Sequence, residues 1–267
     1  MEQVTSRSNS IVKRFREVAR NGRLEDTVLL DGAHLLDEAL DSDVELDVVA
    51  FSEVAAVRED ALLQRAMQRA DRVITVPAAV LAAMSPVRQP SGIVALARVT
   101  TRNLDSIVRA RPPQLILLLD GVQDPGNVGA SVRATEALGG TAVIAGHGTA
   151  DPLGWKALRG SMGSALRLPV AIATDQQDIV RAVRDTGLRI FATVPSGGTP
   201  LHRAALDQPA VIFLGGEGGG LSEQLKAAAD EQLTIEMRSP VESLNVSIAA
   251  ALVLYEASRQ RANVAVR

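Results

Sequence analysis

QLILLLDGVQDPGNVGASVRATEALGG, residues 114–140, holds the pattern that decides the fold. Its opening run, Leu115 to Leu119, is apolar without alternation, as expected of a parallel strand covered on both faces, and Asp120 ends it. Pro125 and Gly126 then predict a turn, with Asn127 as the N-cap of a helix that reaches about Leu138 and stops at Gly139. A buried strand followed by a loop and a helix is the repeating unit of an α/β sheet.

The same pattern continues toward the C-terminus. Further apolar runs, "TAVIAG" (141–146), "LRIFATV" (188–194), "PAVIFLG" (209–215) and "QLTIEM" (232–237), alternate with helical stretches and predict a parallel-sheet α/β domain over 114–267. Ligands of such sheets bind beyond the carboxyl ends of the strands, so the residues just after each run are the informative ones. Toward the N-terminus, "TVLLD" (27–31), "LDVVAF" (46–51), "RVITV" (72–76) and "GIVALARV" (92–99) predict strands, with helices across Gly32–Leu40 and Glu59–Arg69. These make a small α/β domain over 1–100. "TTRNLDSIVRARPP", ending in Pro112 and Pro113, reads as a linker over 101–113.

Composition narrows the function classes. With 46% apolar residues in 267, both domains can bury a core, yet four Phe, one Trp and one Tyr make those cores aliphatic. An aromatic platform for stacked bases is therefore not the obvious mode of nucleic-acid binding. The net charge of −3 gives no global basic field, so a polyanion needs a local patch. One candidate is the N-terminal segment, where Arg7, Lys13, Arg14, Arg16, Arg20 and Arg23 face only Glu2 and Glu17 on a stretch of helical composition. The absence of Cys removes disulfides, thiolate chemistry and Cys-based zinc sites. No apolar signal core opens the chain, and no run reaches the roughly 20 apolar residues that span a bilayer. The expectation is a cytoplasmic protein with no membrane partner.

Three loops carry chemistry. In the first, Gly129 sits in the opening turn of a helix, where it costs up to about 1 kcal/mol relative to Ala. Gly129 and Arg133 share a face, so the missing side chain predicts room for an anionic or oxygen-rich guest beside a guanidinium. The second loop, "FLGGEGGGL" (213–221), follows a strand but lacks the Lys-Ser/Thr pair of a P-loop and the spacing of a dinucleotide fingerprint. Glu217 in its middle would repel a pyrophosphate, so a neutral or cationic adenine-containing ligand suits it better. The third, "SLNVSIAAALVLYE" (243–256), starts a helix that is apolar all round with Ser243, Asn245 and Ser247 at its entry. Polar groups set among apolar ones at a helix start point to a site, and the apolar remainder predicts cover on more than one side.

Together the loops resemble, in order and spacing, the three motifs of the SpoU, or TrmH-like, RNA ribose methyltransferases of the SPOUT superfamily. The motifs are N-x-G-x-x-x-R (Asn127, Gly129, Arg133), F-L-G-x-E-x-x-G-L (Phe213 to Leu221), and I-x-M followed by S-L-N-V-S-x-A (Ile235, Met237, Ser243 to Ala249). The resemblance covers about 114–260. The N-terminal part, on "LLDGAHLLDEAL" and "PSGIVAL", is similar to the RNA-binding domain that precedes the enzyme domain in ribosomal-RNA members.

The resemblance implies methyl transfer from S-adenosylmethionine to a ribose 2′-hydroxyl of RNA, without a metal, in a domain threaded as a trefoil knot. Carried over by motif, Asn127, Arg133, Asn245, Glu217 and Ser243 form the catalytic group. The cofactor lies against Thr193, Val194, Leu214, Gly215, Gly216, Glu217, Gly218, Ile235, Met237 and Leu244. Glu236 departs from the family, which usually has Pro there. Arg7, Lys13, Arg14 and Arg16 are the candidate RNA contacts. The family's usual proposal makes the motif Arg the base, and a clamp on phosphate and developing alkoxide is the alternative. Relatives pair through the C-terminal domain and build each RNA site from both subunits, which implies a homodimer with the 247–258 helix in its interface and Ala250 as a candidate contact. Ribosomal RNA is the favoured substrate; transfer RNA and a catalytically silent RNA-binding relative stay open. A nicotinamide-dependent oxidoreductase lacks its glycine fingerprint here. His34, His147 and His202 match no motif and read as structural.

Overall fold

Continuous apolar runs become the inner strands of two sheets, and the amphipathic stretches between them become the covering helices. The computed structural model describes residues 2–111 and 114–265, so Pro112 and Pro113 of the expected linker lie outside the described residues. The chain divides into two units, one comprising residues up to Thr100 together with Leu153–Arg167, the other comprising Thr101–Pro152 and the chain from Leu168 onward.

The first unit is a mixed sheet. Its strands are β1 (Glu2–Gln3), β2 (Arg23–Leu24), β3 (Thr27–Asp31), β4 (Glu45–Ser52), β5 (Ala70–Val76) and β6 (Ile93–Arg98), in the order β1-β5-β4-β6-β3-β2. β1 and β4 run parallel to β5, while β6 is antiparallel to both β4 and β3. Helices α1 (Ser10–Asn21), α2 (Ala33–Leu40), α3 (Glu53–Arg58), α4 (Asp60–Arg69) and α5 (Ala78–Met84) connect them. α1 starts where Asn9 Oδ1 accepts from Ile11 N at 2.8 Å, and it buries Val12, Phe15 and Val18 in a core with Ile74, Met84 and Leu96. Lys13, Arg14 and Arg16 stay on its exposed face.

The second unit is wholly parallel. In chain order it holds α6 (Leu104–Val108), β7 (Leu115–Asp120), α7 (Pro125–Ala137) and β8 (Ala142–Ala145). Next come α8 (Trp155–Ser161) and α9 (Ser164–Arg167), which pack with the first unit although they fall inside the range expected for the second domain. The series resumes with β9 (Val170–Ile172), α10 (Gln176–Arg184), β10 (Arg189–Thr193), β11 (Thr199–Pro200), β12 (Ala210–Gly215), α11 (Glu223–Ala227), β13 (Glu231–Thr234) and α12 (Val246–Ala265). The strand order is β11-β13-β10-β12-β7-β8-β9. From β7 the chain builds outward through β8 and β9, and from β12 it builds the other way, so the two central neighbours are where connections diverge and their following loops splay apart.

Several local expectations change. The N-cap of α7 is Asp124, whose Oδ1 accepts from Asn127 N at 2.9 Å, and Pro125 takes the first helical position that suits a residue without an N–H. Asn127 is thereby released from capping. Gly129 is buried on α7, while Arg133, one turn further on, is exposed. Ile107 and Val108, inside the expected linker, are buried in the core of the second unit. β13 ends at Thr234, not Met237, and residues 235–245 run without regular structure to the start of α12.

α12 is covered on one side, against α7. Val246, Ala250, Val253, Leu254 and Ala257 are buried, whereas Ile248, Leu252 and Tyr255 are 52%, 39% and 59% exposed. Ala250 is therefore a core residue and not an available contact. None of the described helices is long and apolar enough to cross a membrane. Ala250→Glu places a carboxylate where no side-chain surface is exposed, and it should lower unfolding free energy by at least about 3 kcal/mol. Urea denaturation reads this directly; an unchanged midpoint would show that the site is not buried.

Candidate active site

The loops that follow β7 and β12 meet through bare backbone. Gly216 N donates to Asp120 O at 2.7 Å, and a Cβ on Gly216 would fall 1.9 Å from Gly121 O. A side chain there would force the two strand ends apart. The rest of the glycine-rich loop closes on itself: Gly220 N donates to Gly216 O at 3.1 Å, and a Cβ on Gly215 would lie 2.2 Å from Gly220 C. Glycine is therefore required for close approach of backbone to backbone.

This approach aligns three motif side chains. Asn127 Nδ2 donates to Glu217 Oε1 at 2.8 Å, and Asn245 Nδ2 donates to Asn127 Oδ1 at 3.0 Å. Asn245 Oδ1 accepts from Ser247 N at 2.9 Å and from Ser247 Oγ at 2.6 Å, which caps α12. An ionised carboxylate only accepts, so Glu217 fixes which end of the Asn127 amide it faces, and each following amide is fixed in turn. Donation in the relay thus runs one way, from the start of the last helix through Asn245 and Asn127 to the carboxylate.

A second network secures the far end of the glycine-rich loop. Gln176 Nε2 donates to Asp120 Oδ2 at 3.3 Å, and Ser222 Oγ donates to Gln176 Oε1 at 2.9 Å while accepting from Leu225 N to cap α11. Burial pushes the Asp120 carboxyl up from its ordinary 3.8, with the Gln176 hydrogen bond pulling against that rise.

A cavity of about 940 Å³ opens beside the relay, below the ends of β10, β12 and β13. All ten residues expected to hold a cofactor line it: Thr193, Val194, Leu214, Gly215, Gly216, Glu217, Gly218, Ile235, Met237 and Leu244. Ser243 lines it too. Thr193 Oγ1 donates to Phe213 O at 3.1 Å and Thr234 Oγ1 to Val194 O at 3.2 Å, tying these strand ends together. Sequence reasoning missed Gln232, Glu223, Lys226 and Glu242 in the lining. Only the position of α11 just after the glycine-rich loop could have pointed to Glu223 and Lys226.

An adenosine-sized ligand fits this lining. Leu214, Leu221, Leu233, Ile235 and Leu244 offer apolar walls for a flat base, exposed loop backbone offers hydrogen bonds, and Glu217 and Glu242 favour a cation. Arg133 stands apart from the other motif residues. It is exposed on α7, does not line the cavity and makes no hydrogen bond or ion pair among the described residues. No described cluster of His, Cys, Asp and Glu is fit to hold a metal.

The remaining candidates are dispersed. Arg7 donates to Ala79 O at 2.9 Å and Arg14 pairs with Asp47, while Lys13 and Arg16 are exposed without a hydrogen bond or ion pair among the described residues. His34 lies 3.7 Å from Glu38 and His202 3.5 Å from Glu236, and none of the three histidines lines the 940 Å³ cavity.

Comparison with known proteins places both parts of the chain in known families. Residues 114–255 match the SpoU rRNA Methylase family, and residues 9–95 match the MRM3-like substrate binding domain. An uncharacterized tRNA/rRNA methyltransferase of Synechocystis sp. is 32% identical over 97% of this chain and 94% of its own. The 23S rRNA (guanosine(2553)-2′-O)-methyltransferase RlmP of Bacillus subtilis is 27% identical over 96% of this chain and 98% of its own. The crystal structure of an AdoMet-bound rRNA methyltransferase from Sinorhizobium meliloti superposes with a TM-score of 0.85 at 26% identity, covering 97% of each chain.

Capping and relay separate by mutation. Asp124→Ala removes the α7 cap and should cost about 1 kcal/mol. Asn127→Ala keeps that cap and improves helix propensity, so its cost should be less than half as large. Equal losses in urea denaturation would mean that Asn127 holds the helix after all.

Proposed function

Since the chain belongs to the SpoU rRNA methylase family, we infer that it methylates a ribose 2′-hydroxyl of ribosomal RNA, with S-adenosylmethionine as the methyl donor. The observation that carries this reading is the convergence of the ten expected cofactor residues, eight of them from the motifs, on one cavity, with the Glu217–Asn127–Asn245 relay at its side. The trefoil threading implied by the family belongs to the same proposal.

When bound, S-adenosylmethionine supplies a methyl group activated by its sulfonium. The chain's own residues must hold that cation, place the ribose hydroxyl in line and manage its proton. Glu217, held by Asn127, sets a negative charge in the cavity wall that would favour the cofactor's cation. Leu214, Ile235, Met237 and Leu244 exclude water from the base. Ser243 and Asn245 orient the ribose. Arg133 acts on the RNA as a clamp on phosphate and on charge that develops at the 2′-oxygen, because a guanidinium holds its proton too tightly to be a ready base.

RNA is drawn in by the first unit, where Lys13 and Arg16 are the candidate contacts left accessible, since Arg7 and Arg14 already have protein partners. A cytoplasmic location follows from an RNA substrate and fits the lack of Cys. The working unit is a homodimer built on α12. Its support is the stripe Ile248, Leu252 and Tyr255, spaced to share one helix face and left open. In that dimer, Arg133 of one subunit serves the cavity of the other.

Mapping 2′-O-methyls on ribosomal RNA with and without the gene tests the activity; a methylated base with an unmodified sugar would refute it. Arg133→Ala should leave S-adenosylmethionine affinity within about twofold while lowering kcat by roughly 10²-fold or more, and a matching loss of cofactor affinity would move Arg133 into the cofactor site. Leu252→Glu should yield a folded monomer that binds cofactor and does not methylate. Sedimentation decides the dimer: a fully active wild-type species of 28.1 kDa would sink it.

A further inference from the structure

The first unit carries a cavity of its own, about 410 Å³, which the methyl-transfer reading leaves unused. Asp31 at the end of β3, His34 at the start of α2, and Trp155, Lys156, Arg159 and Met162 on and after α8 line it. His34 Nε2 lies 3.3 Å from Met162 O, which joins its two walls. Asp31 is only 9% exposed, and its carboxylate accepts a hydrogen bond from Ser85 Oγ. Burial pushes that carboxyl up, opposed by the Ser85 hydrogen bond and by the charge of Arg159. Trp155 packs against the aliphatic core of the unit, and the Lys156 ammonium stands 5.4 Å from its ring centroid.

Packing of α8 on β3, with the charge of Arg159 near Asp31, accounts for the wall between them. It does not explain an open volume or a second cation at its rim. Volume, an aromatic face, two permanent cations and a buried acceptor are together the chemistry of a nucleotide site.

We propose that this cavity takes one unpaired nucleotide of the RNA substrate, its base against Trp155, its phosphate on Lys156 and Arg159, and its base-edge N–H groups donating to Asp31. The proposal rests on the RNA-methyltransferase reading and adds a holding point in the first unit, apart from the α1 face. Stacking on a single aromatic ring tolerates any base, whereas an acceptor-only carboxylate favours bases with donors on their edge. Lys156 is exposed, so it supplies attraction to phosphate without a part in the core.

Trp155 is the only Trp of the chain, so its fluorescence reports this cavity without labelling. The full chain is titrated separately with ribonucleoside monophosphates, a short single-stranded oligoribonucleotide, inorganic phosphate and S-adenosylmethionine. Saturable quenching by the nucleotides and, more tightly, by the oligoribonucleotide is expected, with little response to phosphate or cofactor. Lys156→Glu should weaken the oligoribonucleotide response by about fivefold or more, and Lys156→Arg should retain it. Both variants should keep wild-type cofactor affinity and thermal midpoint. No saturable response to the oligoribonucleotide, an equal response to phosphate alone, binding of mononucleotides but not RNA, or an unchanged affinity in Lys156→Glu would each overturn the site. Methyl transfer measured in parallel keeps the readings distinct, since a chain that quenches with RNA but transfers no methyl refutes the activity and not the cavity.

Discussion

Everything at the active site hangs on the contact between Gly216 and Gly121, where two strand-end loops touch main chain to main chain. β7 and β12 are neighbours whose connections diverge, a point where an open parallel sheet normally leaves a crevice. Here the crevice is pinched on one side by glycine, and the pinch brings Glu217 within hydrogen-bond reach of Asn127 across 90 residues of sequence. The glycine-rich loop therefore sets a distance. A merely flexible turn would not need Gly215 and Gly216 to press on backbone.

From that contact the relay of amides follows. It answers why polar residues introduce a helix as apolar as α12: Asn245 has to cap the helix with its oxygen and reach Asn127 with its nitrogen at once. A Ser or Thr in its place could cap but would lack the second arm, and an Asp would set its charge close to Glu217. Both hydrogen bonds of the relay are solvent-exposed, so each adds only about 0.5 kcal/mol, and their greater effect is to fix orientation at the cavity wall.

Much of this was legible in the residues. Unbroken apolar runs located the inner strands because burial on both faces leaves little room for alternation, and three loops in the right order pointed to one chemistry. The errors have physical causes. Asp124 and Asn127 are both good caps three residues apart; the Pro between them, suited to a first helical position, was the available signal that Asp124 wins. The all-round apolar face of α12 records composition, while which side is covered depends on α7, so Ala250 went inside and Leu252 stayed out. Lys226 on α11 and Gln232 on β13 reach the cavity through the tertiary placement of short elements, and Glu242 through a loop whose sequence carries no period. Arg133 shares a helix with Asn127, yet six positions of rotation turn it off the cavity side.

The passage of Leu153–Arg167 through the first unit bears on synthesis. The first hundred residues leave the ribosome well before the segment that completes their packing has been made. At roughly 5–20 residues per second the nascent sheet waits several seconds for Trp155 and the helix it begins. During that interval β7 and β8 also emerge, so the two units mature as interleaved tasks and not in series. Such a chain is poorly suited to exchange of its halves by recombination, because a break near residue 100 would strand one unit's last helix in the other's reading frame.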